Sequence, residues 1–430
     1  MKFRILWTLL ALIAVIVGVA VGVKESDWNI NTRVVHTRPF APRIVWQESP
    51  QTQATLLWCS MQSLTEPATV YWDTVSRQGV IEEYEKSSRV RRGTLLPTSE
   101  SFRWIDQFEM WSHQLVWTEL QPDTTYYFAI EQQGEISREY HFTTAPDENR
   151  PLSLLYGADS RSGWEQRRIV NQQLARTIAA DDSILAFCHG GDFVGEGIYL
   201  DHWYHWLADY ELMIPPSGKL LPIVPARGNH DKGKLYNMLF GWEASDPNYY
   251  SLAIRPNLKL MTLNCNLSYA GQQLDWMNRT LDSYSLEDWV IVQYHLPAFP
   301  AVKRSGPARQ YWVRHWEQKG VDLACEADGH CMKRTAPLIQ GSPHPDGIVY
   351  VGEGGLGVKQ RTPLSENRSW MTDAFTGSGH HFHQLHFDAE NAWVETISWT
   401  GQVLDTYQLK QRLRGGMPQL ATEKAETKRQ

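Results

Sequence analysis

Five short apolar runs in this 430-residue chain lead, within a few residues, into side chains that can bind metals. They feed Asp159, Asp192, the triplet Asn229-His230-Asp231, His295 and the triplet Asp328-Gly329-His330. A sixth run, ending at Asn264, delivers no obvious ligand. Carboxylates, an amide oxygen and imidazoles gathered in one place hold divalent cations, and oxygen-rich sets favour the harder ones. Taken singly, each residue has an ordinary role, since an aspartate after a strand most often caps a turn. That explanation does not cover donors delivered in order at the ends of successive apolar runs. The set reads as a metal centre.

Donors from distant parts of a chain meet only if the elements carrying them end at a common edge. From Pro151 onward, apolar strand-like runs alternate with amphipathic helices, the pattern of βα units in a layered α/β domain. Open α/β sheets place their ligands at the carboxyl ends of the strands. Residues 165–180 set Ile169, Val170, Leu174 and Ile178 on one helical face, and residues 272–281 do the same with Leu274, Met277 and Leu281. Residues 383–409 return to a period of two. Upstream, residues 55–61, 69–74, 124–130 and 139–144 alternate apolar and polar side chains between turn signals, which predicts a β-sandwich. Residues 145–150 (APDENR) read as a linker, and the charged stretch 411–430 as a disordered tail.

The first residues carry the topology. Lys2 and Arg4 precede an apolar stretch from Ile5 to Val23, followed by Lys24, Glu25 and Asp27. That stretch is longer than the core of a cleaved secretory signal and suits a bilayer span of roughly 17–25 residues. Residues 1–28 are therefore expected to be a signal-anchor helix in the lipid bilayer, with cleavage near Gly18 or Ala20 as the alternative. The basic start favours a cytoplasmic amino terminus and an extracytoplasmic, periplasmic bulk. The domain limits expected are 1–28, 29–146, 147–410 and 411–430. A formal charge of -7 argues against a general nucleic-acid binder. The five cysteines match neither a zinc pattern nor a disulfide framework, and only Cys325 and Cys331, flanking the last donor triplet, invite pairing.

The donor blocks stand as Gly157-Ala158-Asp159-Ser160-Arg161, Gly191-Asp192, Gly228-Asn229-His230-Asp231, Val292-Gln293-Tyr294-His295 and a divergent fifth block. In this order they resemble the calcineurin-like metallophosphoesterase superfamily, with a domain order similar to purple-acid-phosphatase-like proteins. Leu120-Gln121-Pro122-Asp123-Thr124-Thr125-Tyr126 resembles the corner of fibronectin type III modules. The resemblance implies an α/β (α+β) four-layer metallophosphoesterase sandwich preceded by an all-β fibronectin type III-like sandwich and the transmembrane helix. In the fifth block, reading Gly329-His330 as the family's Gly-His puts Met332 at a ligand position. The register adopted instead matches Asp328 and His330 to the two histidines of Gly-His-x-His. One cation would then be held by Asp159, Asp192 and His330, and a second by Asp192, Asn229, His295 and Asp328. Such a pair can activate a water and clamp an in-line displacement. His230, oriented by Asp231, would serve the leaving oxygen.

Three departures from the family pattern bear on the chemistry. Arg161 replaces a histidine or glycine and suits a phosphate oxygen rather than a metal. Gly195 stands where purple acid phosphatases carry a metal-binding tyrosine. Asp328 in place of an imidazole adds charge and an oxygen donor, which favours harder ions such as Mn, Mg or Fe(II). The expectation is a binuclear, metal-dependent phosphoester hydrolase acting outside the cytoplasm. The alternatives are a phosphodiesterase on nucleotides or lipid head groups, and a non-catalytic binding protein on a degenerate scaffold. Elsewhere ordinary roles prevail: His380, His381 and His383 read as a polar loop and residues 352–357 (GEGGLG) as a backbone turn beside the site, while His189 divides evenly between approaching the site and supporting a tight turn. Lys303, Arg304 and Arg309 divide evenly between anion contacts and a solvated loop, and Glu326 between a partner for a ligand and a surface carboxylate.

Overall fold

A computed structural model describes residues 38–97, 109–364 and 368–412. The expected anchor at residues 1–28 lies outside them. Among the described residues no helix is long and apolar enough to cross a membrane.

The apolar runs become strands buried on both faces. Leu152–Gly157 and Ile184–His189 are buried at every position, as parallel strands covered on two sides must be. They pair in parallel, with Tyr156 opposite Cys188, and Ile223–Pro225 continues the order. A second sheet sets Leu258–Thr262, Trp289–Gln293, Leu323–Cys325 and Val349–Gly352 side by side in parallel. The inner faces of the two sheets meet in one core, in which Leu154, Tyr156 and Leu185 lie with Leu260, Ile291 and Val351. Helices Trp164–Ala180 and Leu200–Tyr210 bury Val170, Leu174 and Leu207 with the first sheet. Helices Gln272–Ser283 and Val313–Lys319 bury Met277, Leu281 and Trp316 with the second. This is a mixed α/β fold in helix–sheet–sheet–helix layers.

The amino-terminal strands form a β-sandwich, and one of its sheets continues into the α/β part. Phe40–Val45, Ala54–Ser60 and Trp111–Trp117 extend the ten-stranded sheet that contains Leu152–Gly157. The junction is a parallel bridge from Val45 to Ile223, with the Trp46 N–H donating to the Ile223 carbonyl at 3.2 Å. The opposing layer holds Ala68–Asp73, Lys86–Val90, Thr125–Gln132 and Tyr140–Thr143. At its corner the Gln121 N–H donates to the Tyr126 hydroxyl at 2.8 Å, a tyrosine-corner hydrogen bond.

One expectation needs correction. Arg412, inside the expected tail, is buried, and its guanidinium donates to the carbonyls of Trp316, Glu317, Val321 and Asp346. Ordered chain therefore runs past residue 410, and residues 413–430 lie outside the described ones. Cys325 and Cys331 do not pair, in keeping with spacing that matches no disulfide framework: all five cysteines are free and buried, small apolar fillers of strands and loops.

Candidate metal centre

The loops after five strand ends converge. Asp159 follows Leu152–Gly157, Asp192 follows Ile184–His189, His295 follows Trp289–Gln293 and Asp328 follows Leu323–Cys325. These four residues place donor atoms within 4.8 Å of one another, all buried. Among the described residues no second such group of acidic, histidine or cysteine side chains exists, so His380, His381 and His383 do not form one. Asn229 joins through its Oδ1, 3.1 Å from His295 Nε2. His330 joins through Asp159, with Nε2 3.3 Å from Asp159 Oδ1. Met332, the ligand position of the rejected register, lies instead in the strand Met332–Arg334 opposite Gly377.

Backbone strain is concentrated here. Asp159, Asp192, Asp328 and His330 all have φ between 58° and 62°. Left-handed conformations cost non-glycine residues of order 1–3 kcal/mol and persist only where surrounding contacts fix them. The contacts are present: the Asp159 N–H donates to Gly191 O at 3.0 Å, Asp328 N–H to Asp159 Oδ2 at 2.9 Å, and His330 N–H to Glu353 O at 2.6 Å. Two glycines permit the approach. A Cβ on Gly228 would stand 2.1 Å from the Asp192 nitrogen, and one on Gly329 only 1.7 Å from Glu353 Oε2.

The electrostatics suit a cation. Asp159 Oδ1 and His330 Nε2 are buried, face each other and have no hydrogen-bond partner. Buried polar atoms without hydrogen bonds are costly, and such a pair suits a divalent cation. Burial alone would weaken His295 as a base, but Asp192, Asp159 and Asp328 overcome it and hold the imidazole well above its ordinary value. Burial opposes charge on Asp192, yet His295 and the His230 amide keep it below the ordinary carboxylate range. A field that favours a proton on a buried imidazole also favours divalent cations. Two side-chain cations already reach in: Arg161 Nε lies 3.0 Å from Asp192 Oδ2, and Lys303 Nζ donates to Asp328 Oδ1.

His230 is held differently from the sequence expectation. Its Nδ1 lies 2.6 Å from the Gly195 carbonyl, which orients the ring. Asp231 does not touch that ring. Its oxygens accept the N–H groups of Asp192 at 2.8 Å, Gly228 at 2.9 Å and Phe193 at 3.0 Å, so it braces two ligand loops from behind. The reason is burial: a fully enclosed carboxylate must take whatever donors surround it, and these are backbone amides. Burial, then repulsion from Asp192, lifts its pKa to about 7.

Other assignments also resolve. Asn264 holds its own loop through Gln273. His189 supports the turn, accepting the Gly191 N–H at 3.1 Å and stacking on Phe193. Residues 352–357 pass beside the site, where a Cβ on Gly354 would stand 2.0 Å from Asp159 Oδ2. Arg309 covers the Phe299 and Trp370 rings rather than facing the centre. Glu326 is no surface carboxylate. It is buried, and with Glu353 it clasps the buried Lys333 ammonium. Nothing in the sequence marked Lys333 or Glu353, which carry no ligand spacing and lie twenty residues apart.

Residues 39–144 match the family model described as "Purple acid Phosphatase, N-terminal domain", and residues 165–332 match "Calcineurin-like phosphoesterase". The chain therefore carries a purple acid phosphatase N-terminal domain followed by a calcineurin-like metallophosphoesterase domain. In fold it resembles the structure of purple acid phosphatase PPD1 from yellow lupin (Lupinus luteus) seeds, with a TM-score of 0.71 at 18% identity, covering 87% of this chain and 75% of that one. It also resembles the structure of PhoD, with a TM-score of 0.60 at 11% identity over 87% and 94% of the two chains. Among curated proteins it is 24% identical over 309 residues to an uncharacterized protein of Mycobacterium tuberculosis, strain CDC 1551 / Oshkosh, and equally to one of strain H37Rv. That match takes in 61% of this chain and 55% of the relatives, so the chain spans about half their length.

Proposed function

We propose that this metallophosphoesterase-superfamily chain is a metal-dependent phosphoester hydrolase of phosphatase type. The observation that carries the reading is the buried Asp159 Oδ1 and His330 Nε2, 3.3 Å apart and without a hydrogen bond, beside three further donors. Asp159, Asp192 and His330 would hold one divalent cation, and Asp192, Asn229, His295 and Asp328 a second, with Mn, Fe, Mg or Zn as the candidates. When bound, such ions supply Lewis acidity to the phosphoryl group and to an attacking water.

The chain's own residues supply the rest. The Gly195 carbonyl takes His230 Nδ1, which leaves Nε2 as the atom that serves the leaving oxygen. Arg161 spends one edge on Asp192 and keeps the remainder of its fork for a phosphate oxygen. Lys303 offsets the charge that Asp328 adds in place of an imidazole and brings a second cation to the same edge. We further propose that residues 1–28 anchor the chain in a bilayer with its bulk outside the cytoplasm, a reading supported by the apolar run after Lys2 and Arg4. The limits 29–146 and 147–410 belong to the same reading.

One observation favours a rival. Arg161 and Lys303 sit on the very carboxylates that would bind metal, as they would in a degenerate scaffold that binds none. Elemental analysis decides, together with turnover of p-nitrophenyl phosphate and bis-p-nitrophenyl phosphate across Mn, Mg, Fe and Zn. Bound metal with turnover lost in Asp192→Asn supports the hydrolase, and the ratio of the two esters tells phosphatase from phosphodiesterase. No metal and no turnover under any condition supports the scaffold.

A further inference from the structure

Beside Gly195, whose carbonyl orients His230, lies a cavity of about 210 Å³ lined by Ser162, Trp164, Arg167, Val194, Gly195 and His202. Its lining touches two residues of the centre, since the Gly195 carbonyl takes His230 Nδ1 and Ser162 accepts the Arg161 Nη1–H at 3.3 Å. Position 195 makes the space. A Cβ there would meet nothing nearer than the His202 ring at 3.6 Å and Ser162 Oγ at 3.7 Å.

The walls select a shape. Trp164, the first residue of the helix Trp164–Ala180, stays 38% exposed although its ring stacks on His205 at 4.4 Å between centroids. A stack on one face holds the indole rigid and leaves its other surface for a second aromatic partner. His202 Nδ1 accepts the Glu196 N–H at 3.0 Å, so the neutral ring carries its proton on Nε2 as a donor. Arg167 shares the Asp209 carboxylate with Arg168 and donates besides to the Ser160 and His205 carbonyls, so its guanidinium is already committed. The lining therefore offers a planar aromatic wall and few uncommitted polar atoms. A cavity of about 150 Å³ is already enough for a benzene ring.

We infer that this cavity receives the leaving group of the phosphoester and favours a planar aromatic one, a phenyl or nucleobase-sized ring, over a small alkyl group. The inference rests on the hydrolase reading. It places the ring on the His230 side of the bond that breaks.

The test uses the full chain loaded with Mn and two non-hydrolysable probes, phenylphosphonate and methylphosphonate, titrated by calorimetry. Phenylphosphonate should bind about fivefold to tenfold more tightly, the scale of one aromatic stacking contact. That preference should vanish in Trp164→Ala, with methylphosphonate binding and methyl phosphate turnover unchanged, and it should also vanish in Gly195→Val, where a side chain fills the cavity. Equal binding of the two probes by the wild-type chain, with methyl phosphate still turned over, overturns the aromatic cavity and leaves the hydrolase standing. A preference that survives both substitutions overturns it equally. Failure to bind either phosphonate or to turn over any ester overturns the hydrolase reading and this one with it.

Discussion

At the scale of single residues, the centre separates groups that hold charge from groups that hold geometry. Asp159 and His330 present bare atoms to each other, so Asp159→Asn should lower metal per chain, as elemental analysis would show. His230 touches no ligand carboxylate with its ring. His230→Ala should leave metal content unchanged and lower kcat by about 10²–10⁴, the usual share of a positioned proton donor, in steady-state assays. Asp231 acts through the backbone, and Asp231→Ala would strand the N–H groups of Asp192, Phe193 and Gly228. Each buried donor left without a partner costs about 1–3 kcal/mol. Urea denaturation should therefore show a lower midpoint, and metal should be lost although no ligand was changed.

At the scale of elements, the fifth block depends on a charge cluster behind it. Lys333, on the strand Met332–Arg334, donates to Glu326, to Glu353 Oε1 at 2.7 Å and to the Phe299 carbonyl at 2.9 Å. Glu326 Oε1 also accepts the Ala298 N–H at 2.6 Å, and Glu353 Oε1 accepts the Ala301 N–H at 2.8 Å. One ammonium thus ties the loop carrying His295 and Lys303 to the loop carrying Asp328 and His330. Burial lifts Glu353 to about 7, with Lys333 pulling the other way. Breaking a buried pair by removing one partner costs about 3–5 kcal/mol, because the other charge stays buried. Lys333→Met should lower the unfolding free energy by that amount. Adding Glu326→Gln and Glu353→Gln should restore most of it, since no uncompensated charge remains, and thermal or urea melts of the single and triple variants check both.

At the scale of the whole molecule, the sandwich and the α/β part share one sheet and one core. Val45 pairs with Ile223, and Ile44, Trp58 and Phe128 lie in the same cluster as Val170, Trp203 and Phe240. Calorimetric unfolding should show a single transition, and removal of the strands up to residue 146 should expose the edge at Ile223–Pro225 and cause aggregation. Acid should also act globally. His113 is wholly buried against Trp58, and burial depresses it from 6.5 to about 4; His381 behaves alike. The fold favours the neutral ring, so its stability is complete above pH 6.5 and is lost as pH falls toward 4. At about 1.4 kcal/mol per pH unit, His113 alone withdraws about 3 kcal/mol. Urea midpoints measured from pH 7 to pH 4 should fall accordingly, and less so in His113→Gln.

The sequence by itself determined the donors and their order, because metal-binding side chains at the ends of apolar runs are a local signal. It also carried the strands at Thr125–Gln132 and Val403–Leu409 and the helix Trp164–Ala180, whose periods are written within each segment. Only the tertiary structure decided what lies behind those residues. The bridge from Val45 to Ile223 joins positions 178 residues apart through a single pair, which no period records. The left-handed ligand residues, the amides gathered by Asp231 and the clasp on Lys333 are likewise contacts between loops. A side chain's type limits what it can bind, whereas its partner is chosen by whatever the folded chain brings to it when water is excluded.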